Sequence, residues 1–127
     1  MSVIGDTSLQ FSDEQAMLLE VARNFCRDRS PISEVRAQLE TGTGFDRALW
    51  DEMVALGWTG IALPESVGGA GLGVAALVPV LKSMGRAMLG TPLLGSALAG
   101  QLLLRAGTAA QVERLLPAPA AGAPATL

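Results

Sequence analysis

Apolar residues return along this chain at intervals of three and four and nowhere settle into sustained alternation, a pattern that demands helices and leaves no useful length for a strand. The clearest run is Leu77, Leu81, Met84 and Met88, an apolar stripe with Lys82 and Arg86 off it. Met17, Val21 and Phe25, with Leu18 and Ala22 beside them, predict a second apolar face opposite Glu20, Arg23 and Arg27. Half of the 127 residues are hydrophobic and 17% are charged, enough apolar surface to offset the entropy of ordering a single domain. The expected fold class is all-α, an orthogonal or bundled domain of about five to six helices.

Local signals place the ends of these helices. Ser12 to Gln15 reads as a capping box, with Phe11 in position for a hydrophobic staple, and the first helix should stop before Ser30-Pro31. A weaker helix is predicted over Ser33 to Leu39. Asp46 is a good N-cap for the next, where Leu49, Met53 and Leu56 share a face beside Trp50 and Gly57 supplies a left-handed stop. Trp50 and Trp58 should be large contributors of buried area. Gly57 to Gly73 is too rich in glycine for a helix and predicts an ordered loop. Pro79 bends its helix if that helix starts near Val74 and is harmless if it starts near Val78. After Gly90-Thr91-Pro92 an apolar helix should run through Leu104 to a stop at Gly107, followed by a second capping box, Thr108 to Gln111, and a short last helix. The domain is thus expected over 1–116, with 117–127, rich in proline, alanine and glycine, as the start of a linker with side chains too small to pack well.

Composition excludes more chemistry than it offers. The net charge is −3 and Lys82 is the only lysine, so no basic field favours nucleic acid. The first six residues, MSVIGD, lack the charged and apolar regions of a secretory signal, and the lone Cys26 cannot form an internal disulfide; a cytoplasmic protein is expected. The uncharged run from Ala87 to Leu104 approaches the length of a membrane span, but Gly90-Thr91-Pro92 interrupts it, and no membrane insertion is expected. Without histidine or tyrosine, histidine triads and histidine-containing zinc sites cannot be built, and Glu65 or Asp51, the conceivable carboxylate bases, sit among ordinary turn and helix residues. The glycine cluster Gly68 to Gly73 suggests a phosphate cradle, yet its spacing departs from the dinucleotide fingerprint, since Val74 stands where the third glycine belongs. No catalytic, metal-binding or cofactor-binding residue is expected within the chain.

Taken together, FSDEQ at Phe11 to Gln15, DRALWDEMVALGWTGIALPESVGGAGLG from Asp46 to Gly73, MGRAM at Met84 to Met88 and GTAAQVERLLP from Gly107 to Pro117 resemble the acyl-CoA dehydrogenase family. The matches come in family order and cover nearly the whole chain. The resemblance implies the helical N-terminal part of an enzyme that also has a central β-domain and a C-terminal four-helix bundle, usually assembled as a tetramer. Such enzymes oxidise an acyl-CoA thioester to the trans-2-enoyl-CoA. A glutamate on the bundle takes the α-proton and the FAD flavin accepts the β-hydride. FAD and the catalytic base would therefore belong to parts outside this sequence. The implied partners are the acyl-CoA substrate, the remaining dehydrogenase domains or subunits and, for the complete enzyme, an electron-transfer flavoprotein. By resemblance the segment from Thr91 through Leu98 lies near the acyl chain, with Thr91, Leu94, Gly95 and Leu98 as candidate wall residues and Gly90, Gly95 and Ala99 as small neighbours that leave room. Pro79 and the PAPAAGAPATL ending depart from the family pattern. The competing reading is a non-catalytic helical interaction module that offers the same apolar surface to a different protein.

Overall fold

A computed structural model describes residues 10–127, and the first nine residues of the expected domain lie outside it. Seven α-helices follow one another: α1 Asp13–Arg29, α2 Ile32–Leu39, α3 Arg47–Ala55, α4 Val78–Ala87, α5 Leu93–Ala106, α6 Ala109–Leu115 and α7 Pro117–Ala120. Three 3₁₀ turns, Trp58–Gly60, Glu65–Val67 and Val74–Leu77, join α3 to α4, and no strand forms among the described residues. The fold is all-α, as the periodicity requires.

Both capping boxes close in both directions: Ser12 accepts from the Gln15 N–H and Thr108 from the Gln111 N–H, while each glutamine side chain accepts from its cap residue's backbone. Asp46 accepts from the N–H groups of Ala48 and Leu49, and Gly57 takes the left-handed conformation at φ 81°. Pro79 is harmless, because α4 begins at Val78 and the proline falls in the first turn, where its missing N–H has no partner to lose. Phe11 lies 5.9 Å beneath the Lys82 ammonium, close enough for a cation–π contact.

The main core gathers Ala22, Cys26, Leu49, Trp50, Met53, Trp58, Val80, Met84 and Leu93 from α1, α3, α4, α5 and the turn after α3. Phe25 meets Trp58 edge-on with ring centroids 5.1 Å apart. Leu63, Val67 and Leu116 form a smaller core under α5 and α6. The buried face of α1 is rotated from the expected one: Ala22 and Cys26 point inward, while Met17 and Val21 are 69% and 45% exposed. The contact with α4 selects the adjacent row Leu18, Ala22 and Cys26 in place of Met17 and Val21. Met88 also leaves its stripe. It lies beyond the end of α4 at φ 52° and is 60% exposed.

The expected loose tail is instead folded back. Leu116 is fully buried, Pro117 opens a one-turn helix in which a proline loses nothing, and Gly122 follows at φ 108°. A Cβ on Gly122 would lie 2.7 Å from both Val54 methyl groups, so glycine alone fits. The Gly122 carbonyl accepts from Trp50 Nε1 at 3.0 Å and the Ala120 carbonyl from Thr59 Oγ1 at 3.0 Å.

Candidate functional site

α4 and α5 are joined by a tight turn that sets the direction of α5. The Leu89 N–H bonds the Met84 carbonyl at 3.0 Å and the Met88 N–H bonds the Gly85 carbonyl at 3.3 Å, a Schellman closure with Met88 in the left-handed position that glycine usually fills. Thr91 and Pro92 then lead into α5, which begins with no side-chain cap. Inside, α5 buries Leu93, Ser96, Ala99 and Gly100. Outside, Leu94, Leu98 and Leu102 rise one turn above another at 52%, 49% and 53% exposure. Three leucines in register on an open face are the largest apolar feature of this helix.

The sequence-predicted residues therefore divide among three environments. Leu94 and Leu98 stand on the open face. Thr91 sits at its head, with its hydroxyl oxygen buried and without a hydrogen-bond partner. Gly95 turns its bare side toward the chain's own tail, where a Cβ would come 3.4 Å from the Ala125 carbonyl oxygen. Of the small neighbours, Gly90 has nothing within 4 Å of a built Cβ, whereas Ala99 belongs to the core and leaves no room outside. Leu102, which continues the face, was absent from the sequence-based set, although its spacing from Leu94 and Leu98 already signalled it.

The stripe is a wall without an opposite side. Clefts lie elsewhere: one between α2 and the α4–α5 turn is lined by Arg29, Gln38, Leu39, Met88 and Gly90, and another lies between Val67 and Val112. Neither includes Thr91, Leu94, Gly95 or Leu98. At the first cleft Arg29 is tied to Glu52, whose hydrogen bond and charge raise the guanidinium pKa and occupy it. Asp51 pairs with Arg47 on the exposed side of α3. Burial pushes the Cys26 thiol up to about 11, which leaves it protonated and unreactive at neutral pH.

The glycine loop is equally committed to structure. The N–H groups of Gly69, Ala70, Gly71 and Leu72 donate to the carbonyls of Pro64, Gly60, Leu63 and Ile61. A side chain on Gly69 would collide with the Leu63 carbonyl, which explains the glycine without any ligand. These amides already donate to carbonyls of the protein, so this loop does not offer them to a pyrophosphate. Among the described residues no group of three or more metal-ligating side chains comes together, and no helix is long and apolar enough to cross a membrane.

The family model described as acyl-CoA dehydrogenase, N-terminal domain, matches residues 12–123. The chain belongs to the acyl-CoA dehydrogenase family. It is 34% identical over 105 residues to the acyl-CoA dehydrogenase IpdE2 of Mycolicibacterium smegmatis, covering 82% of this chain and 34% of that protein. The solved Tcur3481–Tcur3483 steroid ACAD is similar at a TM-score of 0.78 and 36% identity, over 86% of this chain and 30% of its own. The ChsE4–ChsE5 complex of Mycobacterium tuberculosis is similar at 0.81 and 26%, over 89% and 31%. The chain thus spans about a third of the length of these relatives.

Proposed function

We propose that this acyl-CoA dehydrogenase domain supplies one wall of the acyl pocket of a flavin-dependent enzyme, through the outer face of α5. The observation that carries the reading is the stripe Leu94, Leu98, Leu102: a helix already packed into a core on one side keeps three leucines about half exposed on the other. Burying such a face against an acyl chain and a neighbouring domain is worth about 25 cal/mol per Å² of apolar area, an incentive that no contact among the described residues satisfies. Thr91 and Gly90 mark the head of the wall. Gly95 stands at its edge.

FAD would sit on the central and C-terminal parts of the complete enzyme, where it supplies the hydride acceptor. This domain's residues bind and orient the acyl chain and keep water from it. A bulky polycyclic acyl group suits an open wall of this kind, in line with the steroid ACAD among its relatives. The partners are the remaining dehydrogenase domains or subunits, an acyl-CoA and an electron-transfer flavoprotein, in the cytoplasm.

Purified alone, the chain should be colourless and inactive toward acyl-CoA; co-purified with the flavin-bearing domains it should form a yellow complex that oxidises acyl-CoA. Within that complex, Leu98→Trp should raise KM for bulky acyl groups by about tenfold and leave short ones nearly unchanged. Equal effects on all acyl lengths, or a yellow and active chain by itself, would refute this division of labour.

A further inference from the structure

The tail's return path ends on α5 itself. Ser96, one residue from Gly95, is buried, and its hydroxyl serves Ala125 twice: it donates to the Ala125 carbonyl at 3.3 Å and accepts from the Ala125 N–H at 2.9 Å. Beside it Gly95 has no side chain, and a Cβ there would press on the same Ala125 carbonyl at 3.4 Å. A serine that bonds both backbone groups of one residue does what a neighbouring strand would do, and a glycine next to it lets the backbone approach. Upstream, Trp50 holds Gly122 and Thr59 holds Ala120, so three side chains hold three residues of the tail between Ala120 and Ala125.

We propose that Ser96 is a positioning residue: with Gly95 it forms a seat for the extended segment around Ala125, and the seated segment fixes the rotation of α5 that presents Leu94 and Leu98. Two faces of one helix are thereby coupled. Rotation about the helix axis that released Ala125 would also turn the leucine stripe, because side chains on a helix move as one rigid set. Gly95 belongs to the seat, so its lack of a side chain serves the tail and not the acyl group. The role of Ser96 in substrate positioning rests on the function proposed above; the seat itself does not.

The test has two arms. In the chain as it stands, amide exchange at Ala125 should be slow, at least about tenfold faster in Ser96→Ala, which removes the bond to that N–H and the one to the carbonyl, and restored in Ser96→Thr, while amides within α5 keep their protection. An Ala125 amide that exchanges freely in the unaltered chain, or one that ignores Ser96→Ala, overturns the seat. In the complex with flavin-bearing domains, Ser96→Ala should raise KM for long acyl groups about threefold to tenfold with kcat for short ones unchanged, and Ser96→Thr should reverse it. If the unaltered complex oxidises acyl-CoA and Ser96→Ala frees Ala125 without shifting the acyl-length profile, the positioning role is wrong. If the unaltered complex oxidises nothing, the proposed function fails and the exchange arm still decides the seat.

Discussion

α4 and α5 are both apolar helices, yet they meet the rest of the molecule in opposite ways. α4 buries Pro79, Val80, Ser83 and Met84 and turns Lys82 and Arg86 away from them, a helix with one partner and one wet side. α5 buries Leu93, Ser96, Ala99 and Gly100 and then presents Leu94, Leu98 and Leu102 on the side that should be polar. A helix that is apolar all round is one that expects to be enclosed. α4 thus finds its partner in α1, whereas the outer face of α5 meets none among the described residues.

Substitutions can break or sharpen that contrast. The largest effect is expected at the shared inner core: Trp50→Ala removes a fully buried indole and its bond to Gly122, and should cost about 3–5 kcal/mol in urea unfolding. Next comes a neighbouring pair of leucines. Leu93→Ala, on the inner face, should cost about 2–5 kcal/mol, and Leu94→Ala, one residue on, should stay within about 0.5 kcal/mol. Equal losses at the two positions would mean that α5 has no open side. Replacing Leu94, Leu98 and Leu102 together by serine should cost less stability than Leu93→Ala alone and weaken binding to the flavin-bearing domains about tenfold by sedimentation.

The smallest effect concerns Cys26, which marks the closed α1–α4 contact. Its thiol pKa is raised from 9.0 to about 11 by burial, so the folded state favours the protonated form. Its contribution to stability is therefore complete below pH 9 and is lost as pH rises through about 11, while Cys26→Ser should flatten that stretch of the curve. Iodoacetamide at pH 8 should label the thiol only in denaturant. Prompt labelling of the native chain would show that this contact is loose.

The helices and their ends were legible because each has a short-range cause. A capping box, an Asp46 cap and a left-handed Gly57 are local geometry written in adjacent residues. What escaped the sequence depends on partners far along the chain. Which side of α1 is buried follows from where α4 lies, so Met17 and Val21 read as core and are exposed. The tail read as a linker because alanine and proline offer little area, but its backbone carbonyls are held by Trp50 and Thr59, whose bonds span 72 and 61 residues. At the candidate site Leu94 and Leu98 stand on the exposed side of α5, which the sequence alone does not distinguish from its core side, while Gly95 looked like empty space because the passage of Ala125 cannot be seen in its neighbours.

Contact between the outer face of α5 and the acyl chain is open to direct measurement. An acyl-CoA carrying a photoreactive diazirine near its far end, irradiated in the complex of this chain with its flavin-bearing domains and mapped by mass spectrometry, tests it directly. Adducts are expected on the α5 segment from Thr91 to Leu102, and chiefly at Leu94 and Leu98. Adducts confined to α1 and α4, or none on this chain while the acyl-CoA is oxidised, would contradict it.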